Sequence, residues 1–165
     1  MKKALAFPLL AMVLSSVLLT GCHTGVTYYP EPSATSPLPT NQPKTSNVVN
    51  STFTVSAGAY TDFPFTIDIL MKTPRASGSF QAKTGAIEAF ILDDAGFIAF
   101  SAHTQVPVLS QYYYSGTVAS ANIDVAVDGF NGRYHLVFSN PGAQPVSVTA
   151  NISLNWFAIS SIGQR

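Results

Sequence analysis

A single cysteine in 165 residues leaves no disulfide to be made within the chain. Charge is scarce too: eight Lys plus Arg and eight Asp plus Glu make up 10% of the residues, with no basic cluster. Capture of a polyanion needs a basic stripe, so nucleic acid is not an expected partner. There is no His-x-x-x-His spacing and no second cysteine to hold zinc, and no Gly-x-Ser-x-Gly elbow to present a nucleophile. No cofactor is implied. Long amphipathic helical patterns are missing as well. The one long apolar run, Ala4 to Leu19, falls short of the roughly 20 residues that cross a hydrocarbon core.

That run has a different use. Lys2 and Lys3 precede it and small residues close it, the layout of a secretory signal peptide over residues 1–21. It ends in Leu19-Thr20-Gly21-Cys22, which resembles the bacterial lipobox. The resemblance implies that the Cys22 thiol receives a diacylglyceryl group, that the chain is cut before Cys22, and that the new amine is acylated. A thiol is a strong nucleophile for such an alkylation, and a lone exported cysteine otherwise asks for an explanation. The implied protein is a lipoprotein held to a membrane by acyl chains on Cys22. His23 rather than Asp follows the cysteine, which in enterobacterial lipoproteins points to sorting to the outer membrane. Counted from Cys22 the chain carries six basic and eight acidic residues. Residues 22–50 hold Pro30, Pro32, Pro37, Pro39 and Pro43 among many Ser, Thr and Asn, and read as a disordered, partly polyproline-II tether.

The remaining residues, 51–165, suffice for one domain with one core. Their periodicity is two. Phe63, Phe65, Ile67 and Ile69 alternate with Asp62, Pro64, Thr66 and Asp68; Tyr134, Leu136 and Phe138 with Arg133, His135 and Val137. The longest case sets Val146, Val148, Ala150, Ile152, Leu154 and Trp156 against Ser147, Thr149, Asn151, Ser153 and Asn155. A strand sends one set inward and the other to water. Ile87 to Leu92 is apolar on both faces apart from Glu88, which predicts a central strand. Corners are expected at Ala57-Gly58-Ala59, Lys83-Thr84-Gly85, Asp93-Asp94-Ala95-Gly96, Asp128 to Gly132 and Asn140-Pro141-Gly142. One helical turn is expected within Phe97 to His103. The sum is an all-β, single antiparallel, jelly-roll-like β-sandwich.

Several segments carry a second resemblance: Ser77-Gly78-Ser79-Phe80, Phe90-Ile91-Leu92-Asp93-Asp94, Tyr113 to Val118, and Gly132-Arg133-Tyr134-His135-Leu136-Val137-Phe138-Ser139-Asn140. The last resembles the G-x-Y-x-L-V-x-x-N strand of Golgi-dynamics (GOLD) and pre-peptidase C-terminal-like domains. The resemblance covers about 51–157 and implies a non-catalytic binding or accessory module. The chain lacks the cysteine pair and transmembrane tail of eukaryotic GOLD proteins, so a cargo-receptor role does not carry over.

Candidate site residues are few. His103 lies in a loop and His135 on a strand, out of phase with its core residues, where a hydrogen-bonded structural role competes with general-base chemistry. Asp93, Asp94, Asp124 and Asp128 offer carboxylates on loops, but turns want Asp and Gly for backbone reasons alone, so no metal site is assigned. Tyr112, Tyr113 and Tyr114 form the candidate ligand contact, with Tyr112 and Tyr114 expected on one side and Tyr113 on the other. Tyrosine gives a rigid apolar face with a polar tip, suited either to a ligand or to finishing the core. The function expected is a non-enzymatic binding or accessory role in the bacterial cell envelope, with an envelope protein or cell-wall glycan as partner. Glycan or peptidoglycan binding through exposed tyrosines is the alternative, and a hydrolase built from scattered Asp, His and Ser a third.

Overall fold

The computed structural model describes residues 41–129 and 131–159. The expected signal peptide, Cys22, His23 and the expected tether up to residue 40 lie outside them. Eight strands follow in order: β1 (Asn41–Val55), β2 (Tyr60–Ile67), β3 (Met71–Ala82), β4 (Ile87–Asp93), β5 (Gln111–Val118), β6 (Ser120–Ala126), β7 (Gly132–Ser139) and β8 (Val146–Ile159). They form sheet A in the order β1-β8-β3-β6 and sheet B in the order β2-β7-β4-β5, with every pairing antiparallel. Successive strands alternate between the sheets except β4 and β5, which are neighbours in sheet B, and this is the jelly-roll winding of an eight-stranded sandwich.

Period-two alternation sets the core. Val148, Ala150, Ile152 and Leu154 of β8 face Leu136 and Phe138 of β7, all at most 2% exposed. At the centre Phe53 and Phe80 of sheet A meet Phe138 of sheet B with ring centroids 5.2 and 5.3 Å apart. Ile87 to Leu92 is central as expected: β4 lies between β7 and β5, with Ala89, Ile91 and Leu92 fully buried. The three prolines within strands sit where a missing N–H costs least. Pro43 and Pro64 are on the edge strands β1 and β2, and Pro74 lies in the register break of β3 between Lys72 and Arg75.

Three expectations need correction. Residues 41–50, expected as tether, belong to β1 of the sandwich. Pro43, Lys44, Thr45 and Ser46 are exposed because β1 is an edge strand, and an exposed edge has a linker's composition. Asp93 to Gly96 is no corner but the start of α1 (Asp94–Ser101): Asp93 caps it, accepting from the Gly96 N–H. The helix thus starts before Phe97 and spans eight residues. It ends with Thr104 N–H on the Ala99 carbonyl and His103 N–H on that of Phe100, a Schellman closure with His103 in the left-handed region at φ 55°. The third correction is in β5. Ile91 pairs with Tyr113 but Leu92 with Gln111, so Tyr112 is the extra residue of a bulge. Tyr112 and Tyr113 both pack against the core, and Tyr114 alone turns outward.

Strand direction gives the sandwich two unlike ends. The proximal end, where β1 begins and β8 finishes, holds the β2–β3 connection, the start of α1 and the start of β5. The distal end holds the β1–β2, β3–β4, β5–β6 and β7–β8 turns. There the buried Asn140 fixes the β1–β2 corner: its side-chain amide donates to the carbonyls of Val55, Ser56 and Gln144, and its oxygen accepts from Gly142 N–H.

Candidate functional site

The outer face of sheet A is a grid of uncharged hydrogen-bonding side chains. The registers set Thr52, Thr149, Gln81 and Ser120 in one row across all four strands, and Asn50, Asn151, Ser79 and Asn122 in the next. A third row runs Asn47, Ser153, Ser77, Asp124, and a fourth Thr45, Asn155, Arg75, Ala126. The rows form because each polar residue stands one step out of phase with a core residue on a two-residue period. Among the described residues no helix packs on them. Gly78 makes the close backbone approach of β3 to β8 possible: at φ 146° a side-chain carbon there would meet the Asn151 carbonyl oxygen at 2.0 Å.

Neighbouring side chains hold one another in place. Thr45 donates to Asn155 at 2.8 Å, Asn155 to Ser77 at 2.7 Å and Ser153 to Asn47 at 3.1 Å, while Thr52 and Thr149 share a 2.8 Å bond. The only charges in the four rows pair with each other: the Arg75 guanidinium donates to Asp124, a contact that lowers the carboxyl pKa and raises that of the guanidinium. Two grooves cut the face. One of about 530 Å³ runs between Gln81, Asn122, Thr149 and Asn151 over β3, β6 and β8. The other, about 470 Å³ and largely apolar, lies at the proximal end between Pro43, Pro74, Trp156 and Phe157, with Arg75 and Asp128 at its rim.

The outer face of sheet B is covered instead. α1 lies across it, with Phe97 stacked on the His135 ring at 4.0 Å and 4°. Phe100 packs on Tyr60 and Phe90 at 5.4 and 5.2 Å. Gly96 allows the fit, since a side-chain carbon there would stand 2.7 Å from the Ser110 carbonyl oxygen in the 3-10 turn Val108–Ser110. Beneath the helix His135 is 3% exposed, with Nδ1 2.9 Å from Asp62 and Nε2 2.8 Å from Asp94. Ionised carboxylates only accept, so both nitrogens donate when the ring carries its second proton. With both nitrogens engaged and an aromatic ring over the imidazole, no lone pair faces solvent. His103 sits apart, exposed at the helix terminus.

The tyrosines fall on both sides of sheet B. Tyr112 meets Tyr134 edge-on at 5.3 Å, and burial raises the Tyr113 hydroxyl pKa. Tyr114 is 48% exposed but stacks on Phe90 at 4.8 Å, and its hydroxyl donates to Glu88, which raises its pKa. The three do not form a shared surface. The acidic residues are also dispersed: Asp93 caps α1, Asp94 meets His135 and Asp124 meets Arg75. Among the described residues no group of three His, Cys, Asp or Glu side chains is arranged to hold a metal ion, and His135 turns a ring nitrogen to each of its two carboxylates.

No protein-family model matches the chain, and no curated protein matches it in sequence.

Two features were not legible in the sequence. The polar row of β8 was visible, but its continuation onto β1, β3 and β6 depends on which strands neighbour it. The Asp62–His135 pair had a faint signal: each is the polar residue out of phase with an aromatic strand, and those strands prove adjacent.

Proposed function

We propose that this chain is an exported lipoprotein of the bacterial cell envelope, acylated on Cys22. Its sandwich works as a non-enzymatic binding module through the bare outer face of sheet A. The observation that carries this reading is the four-strand grid of Ser, Thr, Asn and Gln, left open to solvent while the opposite face is covered. Such a surface offers many neutral donors and acceptors and little charge, which suits a neutral polar ligand better than an ionic one. A glycan is the favoured class. The amide-lined groove of about 530 Å³ has the size of a small-ligand cleft. This moves the expected glycan contact from the tyrosines of β5 to sheet A. The His135 arrangement favours a structural role for that residue over general-base chemistry.

A photocrosslinker placed at Asn122 in intact cells tests the reading. Attachment to cell-wall glycan is expected, and labelling no stronger than from a position at the distal turns would overturn it. The anchor has its own test: Cys22→Ser should release the protein from the membrane fraction, and unchanged fractionation would remove the acyl chain from the account.

A further inference from the structure

The apolar surface of the sandwich is concentrated at one end. Ile69 and Leu70 in the β2–β3 connection are 65% and 53% exposed, Val108 and Leu109 in the 3-10 turn before β5 are 85% and 91%, and Phe157 near the end of β8 is 46%. All five lie at the proximal end, on three separate segments. No comparable residue is exposed in the distal turns: of the other large apolar residues with high exposure, Tyr60 packs against Phe97 and Phe100, Tyr114 stacks on Phe90, and Ile98 is on α1. Three separate projections at one end define a plane. A peptide-binding groove would be a single cleft; a plane of aliphatic tips suits an extended apolar surface.

The chain itself indicates which surface. β1 begins at this same end, so the segment carrying Cys22 is joined to the sandwich here. Eighteen residues lie between Cys22 and Asn41, nineteen backbone steps that limit the span between them to roughly 65 Å. The 3-10 turn that supplies Val108 and Leu109 and its flanks from Ala95 to Ser115 carry no Lys, Arg, Asp or Glu, while Asp68, Lys72, Asp128 and Arg133 of this end lie in or beside the β2–β3 and β6–β7 connections. Burying charge in a bilayer is costly, whereas Leu, Ile, Val and Phe enter it favourably.

We propose that the proximal end docks on the lipid surface that holds the acyl chains, with Ile69, Leu70, Val108, Leu109 and Phe157 reaching the headgroup–acyl boundary. The inference rests on the lipoprotein reading for its direction. The acyl chains on Cys22 hold the chain at the membrane, so contact of the proximal end with lipid becomes intramolecular, at an effective concentration set by the connecting segment. The domain then stands upright, the proximal end on lipid and the polar distal turns pointing away. The open face of sheet A runs along its side.

The chain carries its own reporter, because Trp156, its only tryptophan, lines the proximal groove beside Phe157. The native protein is reconstituted into phosphatidylethanolamine–phosphatidylglycerol vesicles with brominated acyl chains, and Trp156 fluorescence is read. Docking predicts quenching of at least twofold, mostly reversed by Leu109→Asp with Val108→Ser. Both positions are exposed, so folding should survive, and an unchanged circular-dichroism melt checks this. Unquenched Trp156 in an acylated preparation would overturn the proposal, as would quenching that the two substitutions leave intact. Loss of a crosslink to an envelope protein without any quenching would assign the end to a protein partner instead, and also overturns it. The mass of the same preparation reports acylation separately. An unmodified Cys22 would defeat the lipoprotein reading, while quenching of that chain by added vesicles would still support docking.

Discussion

The two sheets share one interior and differ on their outer faces. Sheet B is covered by α1, and Leu92, His135 and Val137 are as buried on its outer side as core residues are on the inner. Among the described residues nothing lies over sheet A, and its outward side chains hydrogen-bond to one another. The two faces therefore do different work. Side chains under α1 hold the helix to the sheet, so altering them should cost stability. Those on sheet A hold no other element, so altering them should leave stability alone and change what the face can bind.

The largest expected effect is at His135. His135→Leu leaves Asp62 facing an apolar wall with only 20% of its side chain exposed. Leaving a buried hydrogen-bonding group without its partner typically costs about 1–3 kcal/mol, and more for a carboxylate, and urea unfolding should show a loss at the upper end of that range or above. Combining it with Asp62→Leu should recover a substantial part, because the stranded carboxylate is what penalises the single variant. A double variant no better than the single one would mean that α1 needs the polar contacts themselves.

Gly96→Ala attacks the same cover sterically. The new methyl meets backbone at Ser110 rather than a flexible side chain, so α1 or the 3-10 turn must shift, at about 1–3 kcal/mol. Fluorescence labelling of buried outer-face positions should detect the shift, and an undisturbed variant would show the helix to be loosely seated.

The interior shared by both sheets gives a control through Tyr134. Burial, followed by its hydrogen bond with Tyr112, raises the hydroxyl pKa well above the usual tyrosine value of 10.0. A raised folded-state pKa means that the native protein keeps a proton that the unfolded chain gives up. This stabilisation is fully present below about pH 10 and is lost as pH climbs toward the folded value. The expected fall is at most about 1.4 kcal/mol per pH unit above 10, and Tyr134→Phe should flatten it. An equally steep fall in Tyr134→Phe would assign the alkaline limb to another group.

How much of this was legible in the sequence follows from the range of each interaction. Alternation along β7 and β8 is local, so the sandwich, its central strand β4 and the inward residues were readable. The bulge at Tyr112 was not, because it is a mismatch between two strands and nothing within Gln111 to Ser115 announces it. Residues 41–50 were misread because an exposed edge strand and a tether ask for the same polar composition. Asp93 and Gly96 suit a turn and a capped helix equally, and the aromatic faces of Phe97 and Phe100 settle the matter only once sheet B lies beneath them.

The smallest stability effect is the one that best tests the contrast between the faces. Ser79→Ala, Asn122→Ala and Asn151→Ala remove neutral polar groups from adjacent positions in one row of sheet A. Each side chain is exposed, so truncation strands no buried donor, and each should change stability by less than about 0.5 kcal/mol. The triple variant should therefore unfold with the native protein in urea. If the row contacts a glycan, the same variant should lose most of its retention on purified cell-wall material, because each missing amide or hydroxyl leaves a ligand group without its partner. Unaltered retention would move the ligand off this face. A clear loss of stability would show that the row braces sheet A, and the contrast with the covered sheet would then be one of degree.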